Sequence, residues 1–178
     1  MRRKIYAGST SKECGKKGKL EIVGPIKFGD LLQDTNSGID VVGIADGVFM
    51  QDVSIWPREI IHAMNSGLIV FGSSSMGAMR AAELERYGMI GIGEIYDLYK
   101  NNLVDGDDEV AILHDNQEAE GLINTSIPLV NIRLGARELK SEDDIKKMNS
   151  ILKRAKEIPY WERTIKALRL IANSLEAS

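Results

Sequence analysis

"DVVGIADGVFMQDVSIWPREIIHAMNSGLIVFGSSSMGAMRAAELERYG", residues 40–88, is the stretch whose reading decides the fold. "DVVGIAD" (40–46) is a continuous apolar run ending in Asp-Gly, the pattern of a strand buried on both faces. In "SIWPREIIHAMNSG" (54–67), Ser54 is placed to cap a helix. Pro57 suits only that helix's first turn, Ile60, Ile61 and Met64 recur at helical spacing, and Gly67 marks its end. "LIVFG" (68–72) reads as a second buried strand and "MGAMRAAELERYG" (76–88) as a second helix closing at Gly88. With connections this short, the two strands are expected to be parallel, with a right-handed crossover.

Outside this unit the pattern is less regular. "KIYAG" (4–8) reads as a short opening strand, and the polar, glycine-dotted "STSKECGKKGKLE" (9–21) as a loop. "GPIKFGD" (24–30) is a loop constrained by Pro and Gly, after which Asp30 is placed to cap a short helix, "LLQDTN". "IGIGEIYDLYKNNLV" (90–104) reads as a glycine-led turn into a helix, and "IPLVNIRLGARE" (127–138) as a piece of strand. The tail reads as two amphipathic helices broken at Pro159. The fold expected is α/β: a compact single domain over 1–178, with a short parallel sheet flanked by helices and a helical C-terminus. Its motif-bearing core spans about 24–115 and its helical tail about 140–176.

Composition narrows the function. The 178 residues are 43% hydrophobic and 28% charged with a formal net charge of −3, no footprint for nucleic acid. The basic residues near the start (Arg2, Arg3, Lys4, Lys12, Lys16, Lys17, Lys19) read as a solvated edge. Cys14 is the single cysteine, so no internal disulfide is possible, which fits a reducing cytoplasm. No apolar run reaches the length of a membrane span, and the N-terminus lacks a signal-peptide core.

In a parallel α/β unit, ligands gather beyond the carboxyl ends of the strands. Those ends present Asp46 and Gly47 from one strand, and Ser73, Ser74 and Ser75 from the next. A serine there has two readings. It is a good helix N-cap or part of an anion site. It is also placed as a nucleophile, with amides of Met76, Gly77 and Ala78 at the helix start facing an oxyanion. The glycine-flanked elbow of hydrolases is approached but not matched literally. Such a serine needs a base. His62 sits mid-helix and reads as packed; nothing ties His114 to the serines. A lysine base must be neutral near pH 7, far below its ordinary value of about 10.4, and Lys27 between Ile26 and Phe28 is the candidate for desolvation. Glu59, Arg80 and Glu83 are charged neighbours, Arg80 being placed to hold Asp46 or a substrate carboxylate. The acidic "DGDDE" (105–109) lacks calcium-hand spacing and reads as a buried polar cap rather than a metal site.

"GPIKFGDLL", "GIADGVFMQDVSIWPREIIHAMNSGLIVFGSSSMGAMRAAELERYGMIGIGEIYDLY" and "DGDDEVAILHD" together resemble the TfuA-like family, from about residue 24 to 115 and more weakly near "IPYWERTIKAL". The resemblance implies a partner of YcaO enzymes, which activate peptide amides with ATP and, with this family, exchange a backbone amide oxygen for sulfur. It implies hydrolysis of a thiocarboxylated ThiS-like carrier protein through a Ser–Lys pair, releasing sulfide for thioamidation of a precursor peptide or protein. By position, Ser75 is the first choice of nucleophile with Ser74 beside it, and Lys27 the base. Asp46, Glu59, Met76, Gly77, Arg80 and Glu83 are supporting residues. Similar chains carry Lys where this one has Arg58, and arginine does not act as a neutral base. The expected protein is cytoplasmic and needs no cofactor or metal. The alternative from a different class is a non-catalytic adaptor that docks peptide or carrier onto the YcaO enzyme.

Overall fold

The computed structural model describes residues 1–8, 20–49, 53–117 and 121–176, with no account of side chains over 114–124. Cys14, Lys12, Lys16, Lys17 and Lys19 therefore lie outside the described residues. The chain divides into two compact units, Met1–Asp105 and Gly106–Ser178. Among the described residues no helix is long and apolar enough to cross a membrane.

The first unit is the expected α/β layer. Its strands are β1 (Arg3–Tyr6), β2 (Leu20–Val23), β3 (Val41–Ile44), β4 (Ile69–Ser73) and β5 (Ile90–Ile92). They form one fully parallel sheet in the order β2-β1-β3-β4-β5. The helices are α1 (Asp30–Asn36), α2 (Pro57–Asn65), α3 (Met76–Leu84) and α4 (Glu94–Lys100). Alternate strand residues Tyr6, Val42, Ile44 and Val70 are buried, whereas Val41 and Phe71 on the other face are half-buried. Two strands were not legible in the sequence. β2 lies in a stretch read partly as loop, because Glu21 interrupts its apolar run. β5 is three residues long, and its Gly91 leaves room for the Tyr96 ring, which a Cβ there would overlap.

Several local expectations change. Ser54 does not cap α2; Trp56 holds that position without a side-chain cap bond, and Pro57 is the first helical residue as expected. Asp30 is the first residue of α1 rather than its cap, and its carboxylate accepts the Lys27 N–H at 2.9 Å. His62 is exposed in the last turn of α2, not packed, because the apolar stripe of that helix runs through Ile60 and Ala63. The helix beginning at Met76 tightens after Leu84 into a 3₁₀ turn (Glu85–Tyr87) and stops at Gly88, φ +104°.

A buried polar cluster ties α1 to β1. Asp34 is 1% exposed, accepts the Tyr6 hydroxyl at 2.7 Å and pairs with Lys4 at 2.5 Å. Burial, then the hydrogen bond to Asp34 and its charge, push the Tyr6 hydroxyl well above its ordinary value of 10.0. A group raised on folding stabilises fully below its unfolded value, and that contribution is lost as pH rises beyond it. Tyr6→Phe is therefore expected to cost about 1.5 kcal/mol at pH 7, since Asp34 keeps Lys4. Urea unfolding between pH 7 and 11 should also show a shallower alkaline loss of stability in the variant.

The second unit begins with a 3₁₀ turn (Asp107–Glu109). An antiparallel hairpin follows, β6 (His114–Gln117) with β7 (Gly121–Asn124), then helices α5 (Leu129–Arg137), α6 (Glu142–Lys156) and α7 (Ile165–Glu176). The strand expected within 127–138 is instead α5. Its β-branched residues suggested a strand, but Leu129, Val130 and Ile132 face inward at helical spacing. The two tail helices and the break at Pro159 are as expected, and Ser141 caps α6.

Arg163 organises this unit. It is 1% exposed and donates to the Ala155, Ile158 and Asp108 carbonyls, and its Nη2 lies 2.6 Å from both Asp108 carboxylate oxygens. Arg133 holds buried Glu109 with two nitrogens, Nε at 2.8 Å and Nη2 at 2.7 Å, one on each carboxylate oxygen. The acidic run is thus a polar anchor. Arg163→Met is expected to destabilise the chain by about 3 kcal/mol, because three carbonyls and a carboxylate lose their donor together. Thermal unfolding measures it.

Candidate functional site

Strand order runs outward from β1 in both directions, to β2 on one side and β3 on the other, which makes the β1/β3 boundary a topological switch point. The crevice expected there opens at the carboxyl ends of β1, β3 and β4. In register, Ile44 pairs with Gly72, so Asp46 and Ser74 occupy matching positions two residues beyond the last rung. Asp46 is 4% exposed.

The turn is shaped by how closely α3 approaches the sheet. A Cβ on Gly72 would overlap the Gly77 carbonyl, and one on Gly77 would overlap the Ile44 carbonyl. The Gly77 N–H donates to the Ala45 carbonyl at 3.2 Å, stitching α3 to the end of β3. With strand and helix this close, the chain must reverse within Ser74 and Ser75. Ser74 adopts φ +62°, a left-handed conformation rare outside glycine, and Ser75 takes φ −65°, ψ −117°. The Ser75 side chain makes no capping bond to the helix. Strain of this kind, of order 1–3 kcal/mol, is characteristic of functional turns.

A cavity of about 480 Å³ lies on the sheet face away from the buried strand residues. It runs along the strands from Arg3, Leu20 and Val41 at their amino ends to Ala45, Ser73 and Ser74 at the other; Ser75 and Lys27 do not line it. The Ser73 hydroxyl lies 3.6 Å from where a Cβ of Gly93 would be.

The structure corrects three expectations about the site. Met76, Gly77 and Ala78 are buried, and the Gly77 and Ala78 amides are taken by the Ala45 and Ser75 carbonyls, so this turn is not an outward set of donors. Lys27 is exposed, as is Phe28, so the apolar enclosure expected around the amine is absent from the free chain. Arg80 pairs with Glu83 at 2.6 Å, one helical turn along α3, and its buried Nε meets no acceptor among the described residues.

Glu59 has a role the sequence did not reveal. It is 5% exposed, and its carboxylate accepts the Gly29 and Leu31 N–H groups at 3.0–3.1 Å, capping α1 from α2. The Lys27 loop is further fixed to β3 by the Ile26 N–H on the Asp46 carbonyl (2.9 Å) and the Val48 N–H on the Ile26 carbonyl (3.0 Å). Lys27 and Ser74 are therefore carried on backbone fastened to the same strand end. Among the described residues, no three His, Cys, Asp or Glu side chains gather as metal ligands.

Strain at Ser74 has a measurable consequence. Ser74→Gly relieves the left-handed backbone and is expected to raise stability by about 0.5 kcal/mol after glycine's entropy cost, whereas Ser74→Val lowers it by more than about 1 kcal/mol. Chemical denaturation of both variants checks the order.

No curated protein matches the chain significantly. The family model described as "TfuA-like protein" matches residues 46–164, more than half of the chain. The match begins at Asp46, takes in the serine turn and the acidic anchor, and ends one residue past Arg163; the chain belongs to the TfuA-like family.

Proposed function

We propose that the protein hydrolyses the C-terminal thiocarboxylate of a ThiS-like carrier and supplies sulfide to a YcaO enzyme for thioamidation of a peptide or protein. Family membership supports a YcaO partner in general. The observation that carries the hydrolase reading is Ser74. It combines left-handed backbone, a place in the cavity lining and a position level with Asp46 at the strand ends. On this ground Ser74 is preferred over Ser75 as the nucleophile.

The Ser74 hydroxyl attacks the thiocarboxylate carbon while Lys27, in its neutral form, takes the hydroxyl proton. A C–O bond forms, the Lys27 ammonium passes the serine proton to the sulfur, and the C–S bond breaks so that hydrosulfide leaves and Lys27 is neutral again. Water then cleaves the serine ester, returning the hydroxyl and freeing the carrier as a carboxylate. Hydrosulfide is a much better leaving group than an amine, so a modest acid–base apparatus suffices. Because Lys27 is exposed in the free chain, its dehydration has to come from the docked carrier. The partial positive charge at the start of α3 favours the anionic intermediate.

The adaptor reading is favoured by two specific observations, the exposure of Lys27 and the engagement of the Gly77 amide. Purified protein mixed with thiocarboxylated carrier, without any YcaO enzyme, separates the two. Sulfide release that falls at least 100-fold in Ser74→Ala and in Lys27→Ala supports the hydrolase. Binding without sulfide release establishes the adaptor.

A further inference from the structure

Phe28 and Trp56 form an exposed aromatic pair beside the Lys27 loop. Their ring centroids are 5.7 Å apart at 51°, and the side chains are 50% and 55% exposed. Two large aromatic surfaces left in water at one place are unusual for a folded chain and mark interaction sites. The pair is rigidly mounted. The Phe28 N–H donates to the Val53 carbonyl at 2.9 Å, and Glu59, three residues after Trp56, caps the helix that starts two residues after Phe28.

Charge identifies the kind of partner. Lys27 precedes Phe28, Arg58 lies two residues after Trp56, and both are exposed. Neither has an anionic partner among the described residues. Among the described residues, Asp30 accepts the Lys27 N–H and Glu59 accepts the Gly29 and Leu31 N–H groups. An aromatic pair flanked by two exposed cations fits a protein segment with apolar residues next to an anionic group.

We infer that Phe28, Trp56 and Arg58 form the docking surface for the carrier protein, with the aromatic pair covering an apolar segment of it and Arg58 meeting an anionic group beside that segment. The inference rests on the hydrolase reading for the partner's identity. Its support is continuity with the site. The Lys27 loop is bonded to the Asp46 end of β3, so a chain seated on Phe28 and Trp56 lies next to Lys27 and leads toward the strand ends. Docking there removes water from Lys27, which the free chain leaves exposed.

The test is calorimetric titration of the full chain with a ThiS-type carrier bearing its ordinary C-terminal carboxylate, at two salt concentrations. Trp56 makes no side-chain cap bond and Arg58 is exposed, so Trp56→Ala and Arg58→Glu are expected to fold, with circular dichroism as the check. Wild type and Ser74→Ala should bind alike. Trp56→Ala, Phe28→Ala and Arg58→Glu should each weaken binding at least tenfold, and Arg58→Glu should also flatten the salt dependence. With thiocarboxylated carrier, the same variants should raise KM at least tenfold. If wild type binds through this surface yet releases no sulfide, the surface stands and the hydrolase reading falls. If all three variants bind and turn over as wild type does, the surface is overturned and the hydrolase reading stands. Use of these residues for the YcaO enzyme, with carrier binding unaffected, also overturns it.

Discussion

The first unit depends on one close approach, that of α3 onto β3 and β4. Two missing side chains permit it, at Gly72 and Gly77, where any Cβ would overlap backbone carbonyl oxygen. Backbone against backbone leaves no freedom to relax, so the cost of larger residues would be met by moving the helix. The same approach turns the Gly77 amide onto Ala45 and forces the intervening serines into a tight reversal. Left-handed backbone at Ser74 is thus a consequence of packing, and a half-buried serine at a strained turn is the result.

On the proposed hydrolase reading, the free chain holds its site only partly preformed. The packing that fixes Ser74 also engages the Gly77 and Ala78 amides, two of the three donors expected to face an oxyanion. Lys27 sits on a loop that is well anchored through its backbone, by Asp46, Val48 and Asp30, while its side chain remains in water. A base that becomes effective only under a docked macromolecule would restrain wasteful attack on other thioesters and thiocarboxylates. Such gating by substrate is a familiar way of trading catalytic power for specificity.

Legibility in the sequence followed physical distinctness. The strands and helices of 40–88 were readable because buried parallel strands are continuous apolar runs and their helices carry glycine stops. The shared end of Asp46 and the serines followed from crossover handedness alone. β2 and β5 were hidden by Glu21 and by brevity, and α5 was mistaken for a strand because Val130 and Ile132 carry β-branched weight. Long-range polar pairing left no local trace: Glu59 capping another helix, Arg163 on Asp108 and Tyr6 on Asp34 link residues 28–55 positions apart. The strain at Ser74 was equally invisible, since three serines in a row give no sign of which must take positive φ.

Acylation of the strained serine is the central claim, and trapping the acyl-enzyme tests it most directly. Thiocarboxylated carrier is mixed with the protein, quenched in acid within the first turnover, digested and fragmented by mass spectrometry. The account predicts an ester joining the carrier's C-terminus to Ser74, formed as sulfide appears and lost on further incubation in water. Sulfide appearing with no ester on the peptide that contains Ser73, Ser74 and Ser75 would contradict it.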